Sequence, residues 1–328
     1  MEVDQEVANF QKAFATAVDH IHKMIIGQHD AVTYALIGLV SSGHVLLEGA
    51  PGLGKTRLVR NLSKIFNLQF SRIQFTPDLM PADILGTNIL SQNEKGDRAF
   101  AFQPGPIFGN VVLADEINRG TPKTQSAMLE AMEEQAVTIQ GRRYPLPAPF
   151  FVMATQNPIE MEGVYPLPEA QLDRFMFKIE VGAPGADEMR AIMDVPVREP
   201  ESKPLFKGED LLAMQRTLLR VPVANHMKDY VVRIYRATHP DAAEAPSVTK
   251  KYVRHGASPR GAQAMLLAAR AWALISGRFN VAASDVQRVA LPVLRHRIIR
   301  NFEAEAANVT SSDILTELLR SVPDMPAR

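Results

Sequence analysis

The sequence predicts an α/β domain built on a parallel sheet with helices on both faces, followed by a smaller domain made only of helices. Three observations predict it. Short apolar runs at 44–48, 68–75, 110–115, 150–155 and 175–180 read as strands, and helical spacing separates several of them, notably over 123–134. Between the first run and a helical pattern at 56–65 lies Gly49-Ala50-Pro51-Gly52-Leu53-Gly54-Lys55-Thr56, which has the spacing of a phosphate-binding loop. Past Gly182 the prolines at 184, 196, 200 and 204 break the alternation, and only helical patterns follow, over 209–220, 225–238, 259–276, 284–299 and 311–320. The expected organisation is an α/β domain over 1–182, a linker over 183–207 and a helical domain over 208–328.

Taken in order, residues 5–24 are spaced for a helix (Val7, Phe10, Phe14, Val18, Ile21), and 31–40 make a second one ahead of the first strand. Two intervals depart from strand–helix alternation. Residues 86–109, with Asn93-Glu-Lys-Gly96 and Gln103-Pro-Gly-Pro106, read as an inserted hairpin and loop. Residues 136–147 read as a second hairpin turning at Gly141. Arg142-Arg143 at its tip is either a solvated turn, the reading the sequence favours, or a contact for a substrate or nucleic acid in a central pore.

Composition excludes several classes. The 328 residues hold no cysteine, which removes disulfides, thiolate metal sites and cysteine nucleophiles. The histidines form no H-x₃-H or H-E-x-x-H pair, so a transition-metal site is not expected. Net charge is zero, which offers no field for nucleic acid or an anionic membrane. It is divided unevenly: residues 1–182 hold 15 Lys and Arg against 20 Asp and Glu, and residues 183–328 hold 21 against 16. The N-terminal residues are acidic, unlike a secretory signal, and the apolar run 34–40 is far short of the ~20 residues of a spanning helix. A cytoplasmic protein without membrane insertion is expected.

The loop carries the chemistry. Its glycines let backbone N–H groups turn inward around a phosphate, Lys55 reaches the β- and γ-phosphates, and Thr56 places a hydroxyl on Mg²⁺. A nucleoside triphosphate is the ligand this implies. Asp115-Glu116 closes the apolar run at 111–114. Such a pair beside a phosphate loop supplies what hydrolysis lacks: Asp115 orients Mg²⁺ through water, and Glu116 activates or positions the attacking water. Asn157 follows the next strand, where α/β ligands bind, and holds water or the γ-phosphate or else forms a plain Asn-Pro turn. Arg174 is either an arginine finger or the partner of Asp173 or Glu169. Arg260 begins a helix that Ser258 can cap and Pro259 can start, and is either a positioned cation or an ordinary surface arginine. Arg119 is a second candidate for reaching across an interface, and the basic run 295–300 reads as helix-terminus charge. Gly163–Pro168 shows no chemistry of its own.

These residues resemble the AAA+ ATPases, and within them the MoxR group. The matching segments are Ile25-Ile-Gly-Gln28, the loop, Phe102-Gln-Pro-Gly-Pro-Ile-Phe108, Leu113-Ala-Asp-Glu-Ile-Asn-Arg119, Gln125–Glu133, Phe151–Pro158, Tyr165–Phe175 and 258–261, in the family's order. The resemblance implies a five-stranded sheet in the order 5-1-4-3-2 with a helical lid, and ATP with Mg²⁺ between them. It implies that Ile25, Ile26 and Gly27 line the adenine pocket, that Asn157 is sensor 1, that Arg174 is a finger reaching a neighbour's γ-phosphate, and that Arg260 is sensor 2, in cis or in trans. Residues 86–109 correspond to the family's helix-2 insert and 136–147 to its pre-sensor-1 hairpin. It further implies a homo-oligomeric ring, a hexamer, that remodels a protein partner in a chaperone-like way. Relatives commonly work with a von Willebrand factor A (VWA) domain protein, and some act in complex assembly or metal-cofactor insertion. Two other readings compete: a nucleic-acid motor of the same superfamily, disfavoured by the zero net charge, and a low-turnover nucleotide switch, disfavoured by the complete hydrolytic set.

Overall fold

The computed structural model describes residues 2–50, 52–92, 98–158, 163–195 and 203–324. Pro51, the 93–96 turn, and Pro196 and Pro200 lie outside these residues. The first helix, α1 (Glu2–His22), buries Val7, Phe10, Phe14, Ala17 and Ile21, which recur every three or four residues and so share one face. α2 (His29–Val40) is apolar nearly all round, because it is packed between strand and helices: Ala31, Val32 and residues 34–40 are all buried.

β1 (Val45–Gly49) and α3 (Lys55–Ile65) flank the glycine-rich loop, and β2 (Phe70–Gln74) follows. A short helix α4 (Pro81–Leu85) leads into the antiparallel pair β3 (Gly86–Gln92) and β4 (Arg98–Pro104). β5 (Val111–Asp115) ends on the acidic pair, and α5 (Pro122–Glu134) starts on Pro122 with Thr121 Oγ1 accepting the Thr124 N–H. The second hairpin is β6 (Ala136–Ile139) and β7 (Arg142–Pro145), turning at Gly141 as its sequence predicts. β8 (Phe151–Gln156), α6 (Glu169–Leu172) and β9 (Phe177–Val181) complete this part. The sheet is parallel, in the order β9-β1-β8-β5-β2. Ranked along the chain, these strands stand in the implied order 5-1-4-3-2.

The remainder contains α7 (Ala186–Asp194), α8 (Gly208–Arg220), α9 (Asn225–Ala237), α10 (Ser247–Tyr252), β10 (Val253–His255), α11 (Pro259–Ile275), α12 (Ala283–Leu294), β11 (Ile299–Arg300), α13 (Phe302–Ala306) and α14 (Ser311–Ser321). Three expectations are corrected. Residues 186–194, read as linker, form α7, since the prolines lie on either side of this segment and not within it. The region is not purely helical, because β10 and β11 pair antiparallel. The helix expected over 284–299 stops at Leu294, where Arg297 N–H and Ile298 N–H both return to the Leu294 carbonyl and turn the chain into β11.

One apolar core runs from α1, α2 and α3 through one face of the sheet to α8, α9, α11 and α12. A second fills the other face under α4 and α5. The helical part is therefore seated on α2, where Tyr34 packs against Phe177 and Trp272 and donates its hydroxyl to the Arg288 carbonyl at 2.8 Å. Trp272 is partly buried, with the Arg288 guanidinium 4.9 Å above its ring. Among the described residues no helix is long and apolar enough to cross a membrane.

His44 closes the N-terminal edge of the sheet. Its Nδ1 accepts the Val152 N–H at 3.0 Å, so the proton sits on Nε2, which donates to the Met132 carbonyl at 3.2 Å. Burial pushes its pKa down to about 4, with the Met132 hydrogen bond opposing. The folded protein thus refuses a proton that the unfolded chain accepts near pH 6.5. Stability from this group is complete above about pH 6.5 and falls by about 3 kcal/mol as the pH drops toward 4. Thermal melts of wild type and His44→Gln at pH 7 and pH 5 check this: the drop in Tm between the two is expected to be smaller in the variant.

Candidate functional site

The phosphate loop is shaped by its glycines. Gly52 and Gly54 have φ of +83° and +76°, a region that L side chains rarely occupy. Gly49 needs its lack of a side chain for another reason: a Cβ there would lie 2.7 Å from the Val181 carbonyl oxygen of the neighbouring strand. The loop delivers Lys55 at the start of α3, so the first N–H groups of this eleven-residue helix face the same space as the ammonium. Lys55 Nζ donates to the Gly49 carbonyl at 2.6 Å, folded back over the loop. Burial pushes its pKa below the usual lysine value, opposed by the charges of Asp115, Glu116 and Glu48.

Asp115 and Glu116 are oriented from adjacent strands. Thr155 Oγ1 on β8 donates to Asp115 Oδ1 at 2.6 Å and accepts the Glu116 N–H at 2.9 Å. On the other side, Arg72 on β2 holds Asp115 Oδ2 at 2.7 Å. Glu116 has a left-handed backbone (φ 56°), which turns its carboxylate away from the strand direction. Its Oε2 accepts from Gln74 Nε2 at 2.8 Å and from Arg119 Nη1 at 3.1 Å. Arg119 thus contacts the acidic pair of its own chain. Asn157 is buried one residue beyond the end of β8, beside these carboxylates in strand order. Gly163–Pro168 acquires a structural role: Tyr165 N–H binds the Asn118 carbonyl and Gln125 Nε2 binds the Tyr165 carbonyl, strapping the segment to the start of α5.

Next to the loop lies a cavity of about 360 Å³. Ile25, Ile26 and Leu53 form one wall, and Pro184, Met189 and Ile192 form the other. Gln28 Nε2 donates to the Leu53 carbonyl at 2.8 Å and ties the 25–28 turn to the loop. Gly27 admits the Glu188 carboxylate, which a Cβ would meet at 2.4 Å. The far wall is α7 and its flanks, in the segment read as linker; the side chains of 208–324 do not line it.

The two remaining arginines lie elsewhere. In a parallel sheet the loop, Asp115, Glu116 and Asn157 all sit at the C-terminal edge, whereas Arg174 precedes β9 at the N-terminal edge. There Arg174 Nη2 meets Glu133 Oε2 at 2.7 Å, not Asp173 or Glu169, and Arg260 Nη2 takes the other oxygen of the same carboxylate. A strand of five residues separates the two edges by roughly 16 Å. Neither guanidinium approaches Lys55 of its own chain. Ser258 does not cap α11; its hydroxyl donates to Asp173 Oδ1 at 2.7 Å. The 295–300 run is also more than terminal charge. Arg297 is buried, binding Asp173 Oδ1 through Nε at 2.8 Å and the Asp173 and Phe175 carbonyls through Nη2 at 2.9 and 2.7 Å.

Comparison with known proteins places this arrangement. The family model described as "ATPase family associated with various cellular activities (AAA)" matches residues 44–177, and an AAA lid domain model matches 245–318. The chain is 45% identical to Chaperone MoxR1 of Mycobacterium tuberculosis, over 93% of this chain and 81% of that protein. The chain is a MoxR-family AAA+ ATPase. It is also 44% identical to the protein YeaC of Bacillus subtilis over 93% of each. A crystal structure of a candidate ATPase from Cytophaga hutchinsonii superposes with a TM-score of 0.89 at 38% identity, over 98% of both chains. The AAA+ α/β domain and helical lid inferred from the motifs are thus the fold of this MoxR-family chain.

Family membership implies nucleotide with Mg²⁺ as its usual partner, and the donor set fits both. Thr56 and Asp115 offer hard oxygen donors suited to Mg²⁺ and its waters, while the loop amides and Lys55 suit a polyphosphate. Among the described residues no three His, Cys, Asp or Glu gather into a metal cluster of another kind. The fold also brings to the candidate site residues that motif reading passes over: Arg72, Gln74 and Thr155 around the acidic pair, Met189 and Ile192 on the cavity wall, and Glu133 between the arginines. For Met189 and Ile192, the signal was their three-residue spacing between prolines.

Proposed function

We propose that this protein hydrolyses ATP at sites shared between copies of itself and uses the cycle to remodel a protein partner. The observation that carries the reading is the separation of the phosphate loop and acidic pair from Arg174 and Arg260 at opposite edges of one sheet. The loop amides of 49–54 (those of the described glycines, with Pro51 contributing no N–H) and Lys55 bind the triphosphate, and the cavity walled by Ile25 and Ile26 takes the adenine, with Gly27 beside it under the Glu188 carboxylate and not in its wall. Mg²⁺, held by Thr56 and through water by Asp115, supplies charge neutralisation on the phosphate oxygens when bound. Glu116 accepts the proton of the attacking water at its carboxylate, and Asn157 orients that water. Arg174 from a neighbouring copy spreads the charge that develops on the γ-phosphate, and Arg260 assists it from the same face.

The assembly we propose is a ring, a hexamer, working in the cytoplasm. The domains we propose are 1–182 and 208–328, with α7, inside the segment read as linker, assigned to the nucleotide site. The hairpin β3–β4 supports a protein client: Leu90 and Phe100 stand opposite each other across the pair and are 55% and 76% exposed. A VWA-domain protein is the partner we propose, in complex assembly or metal-cofactor insertion. Turnover per chain is expected to rise with protein concentration and to level off as light scattering registers the assembled form. Constant turnover per chain across the dissociation range would refute the shared site. A pull-down with Glu116→Gln in ATP is expected to retain the partner and release it in ADP.

A further inference from the structure

The geometry points to Glu133 as a positioning residue that sets Arg174 and Arg260 as one two-pronged grip for the γ-phosphate held by a neighbouring copy. This inference rests on the shared-site reading. Glu133 lies in the last turn of α5, and its two carboxylate oxygens each take one guanidinium: Oε2 holds Arg174 Nη2 at 2.7 Å, and Oε1 contacts Arg260 Nη2. The three side chains come from the end of α5, the approach to β9 and the start of α11, and only the fold brings them together.

The backbones that bear the arginines are already locked. Asp173, next to Arg174, accepts from Arg297 Nε and from Ser258 Oγ, and Ser258 lies two residues before Arg260. What remains loose is the pair of long arginine side chains. Both line a cavity of about 280 Å³ with Glu133; two permanent cations so close repel, and without a partner each would sample many rotamers. A carboxylate between them cancels the repulsion and fixes both forks before any phosphate arrives. It engages Nη2 of each, and a guanidinium carries five N–H donors, so donors remain on both for an incoming oxyanion.

Glu133 is itself held in place. The carbonyl of the preceding residue, Met132, accepts from His44, which in turn accepts from Val152 of β8, so the end of α5 is pinned to the sheet. Its side chain is 37% exposed, and ion pairs of that exposure contribute little to stability. Loss of the carboxylate therefore shows in the reaction and not in the fold.

The test measures steady-state ATP turnover and equilibrium binding of a fluorescent ATP analogue for wild type, Glu133→Gln, Glu133→Asp and Arg174→Ala, singly and mixed. Glu133→Gln is expected to lose turnover by roughly 10- to 100-fold in kcat, with KM, analogue affinity and Tm nearly unchanged. Glu133→Asp is expected to regain part of the loss. Mixed with Lys55→Ala, which has intact arginines, Glu133→Gln should recover activity; mixed with Arg174→Ala, damaged on the same face, it should not. Wild-type or raised turnover in Glu133→Gln, beside an inactive Arg174→Ala, would overturn the positioning role and leave the arginine reading standing. Full turnover in Arg174→Ala would remove the shared-site reading, and the role of Glu133 with it. Rescue of Glu133→Gln by Arg174→Ala would place its defect outside the arginine face and overturn the inference.

Discussion

Replacing Glu116 by Gln is expected to preserve ATP binding and to cut turnover by roughly 10²- to 10⁴-fold. The substitution conserves shape: the glutamine can still accept from Gln74 and Arg119, and the Glu116 N–H bond to Thr155 is a main-chain bond that the change does not touch. What it removes is the capacity to take a proton from water. The loop, Lys55 and the Ile25–Leu53 wall are unaltered, so nucleotide affinity should stay within about twofold by this account. Steady-state turnover with an equilibrium binding titration checks both halves, and undiminished turnover would remove the assignment of Glu116 as the proton acceptor.

Arg174→Ala is expected to reduce turnover by roughly 10³- to 10⁵-fold, the range seen when a finger arginine is absent. Nucleotide affinity of the separate chain should not change, since Arg174 lies at the sheet edge away from its own loop. The decisive measurement is a mixture. Lys55→Ala chains cannot use nucleotide but present a sound Arg174, whereas Arg174→Ala chains have a sound loop. Mixed, each supplies what the other lacks at a fraction of the contacts, and turnover should reappear. A mixture as inactive as its components would argue that both halves act within one chain.

Much of this site was legible because its main parts are local in sequence. Gly49–Thr56 carries its geometry in its own spacing, Asp115-Glu116 follows an apolar strand, and Gly141 marks a hairpin turn. The unread parts come from tertiary register. Gln74 stands beside Asp115 only because β2 and β5 pair in parallel with those residues opposed, and Thr155 reaches the acidic pair from β8 in the same way. No spacing along the chain encodes either contact. α7 escaped because nine residues between prolines offer too few turns to outweigh the proline signal. β10 and β11 have three and two residues, too few to show alternation. His296 and Arg297 resembled surface charge, since composition cannot reveal that a guanidinium is buried against the Asp173 and Phe175 carbonyls.

The two-ended sheet also constrains how copies of the chain associate. With the loop at one end of the strands and the arginines at the other, the proposed ring joins copies head to tail, the arginine end of one against the loop end of the next. A heterologous contact of that kind generates either a closed ring or an open filament. In an open run every copy but the terminal one finds a donor, so the run always has one complete site fewer than it has chains. Closure supplies the missing one. On the shared-site proposal, a single arginine-deficient chain in a closed ring is expected to silence its neighbour's site and not its own, so the damage from a mutation travels around the ring in one direction.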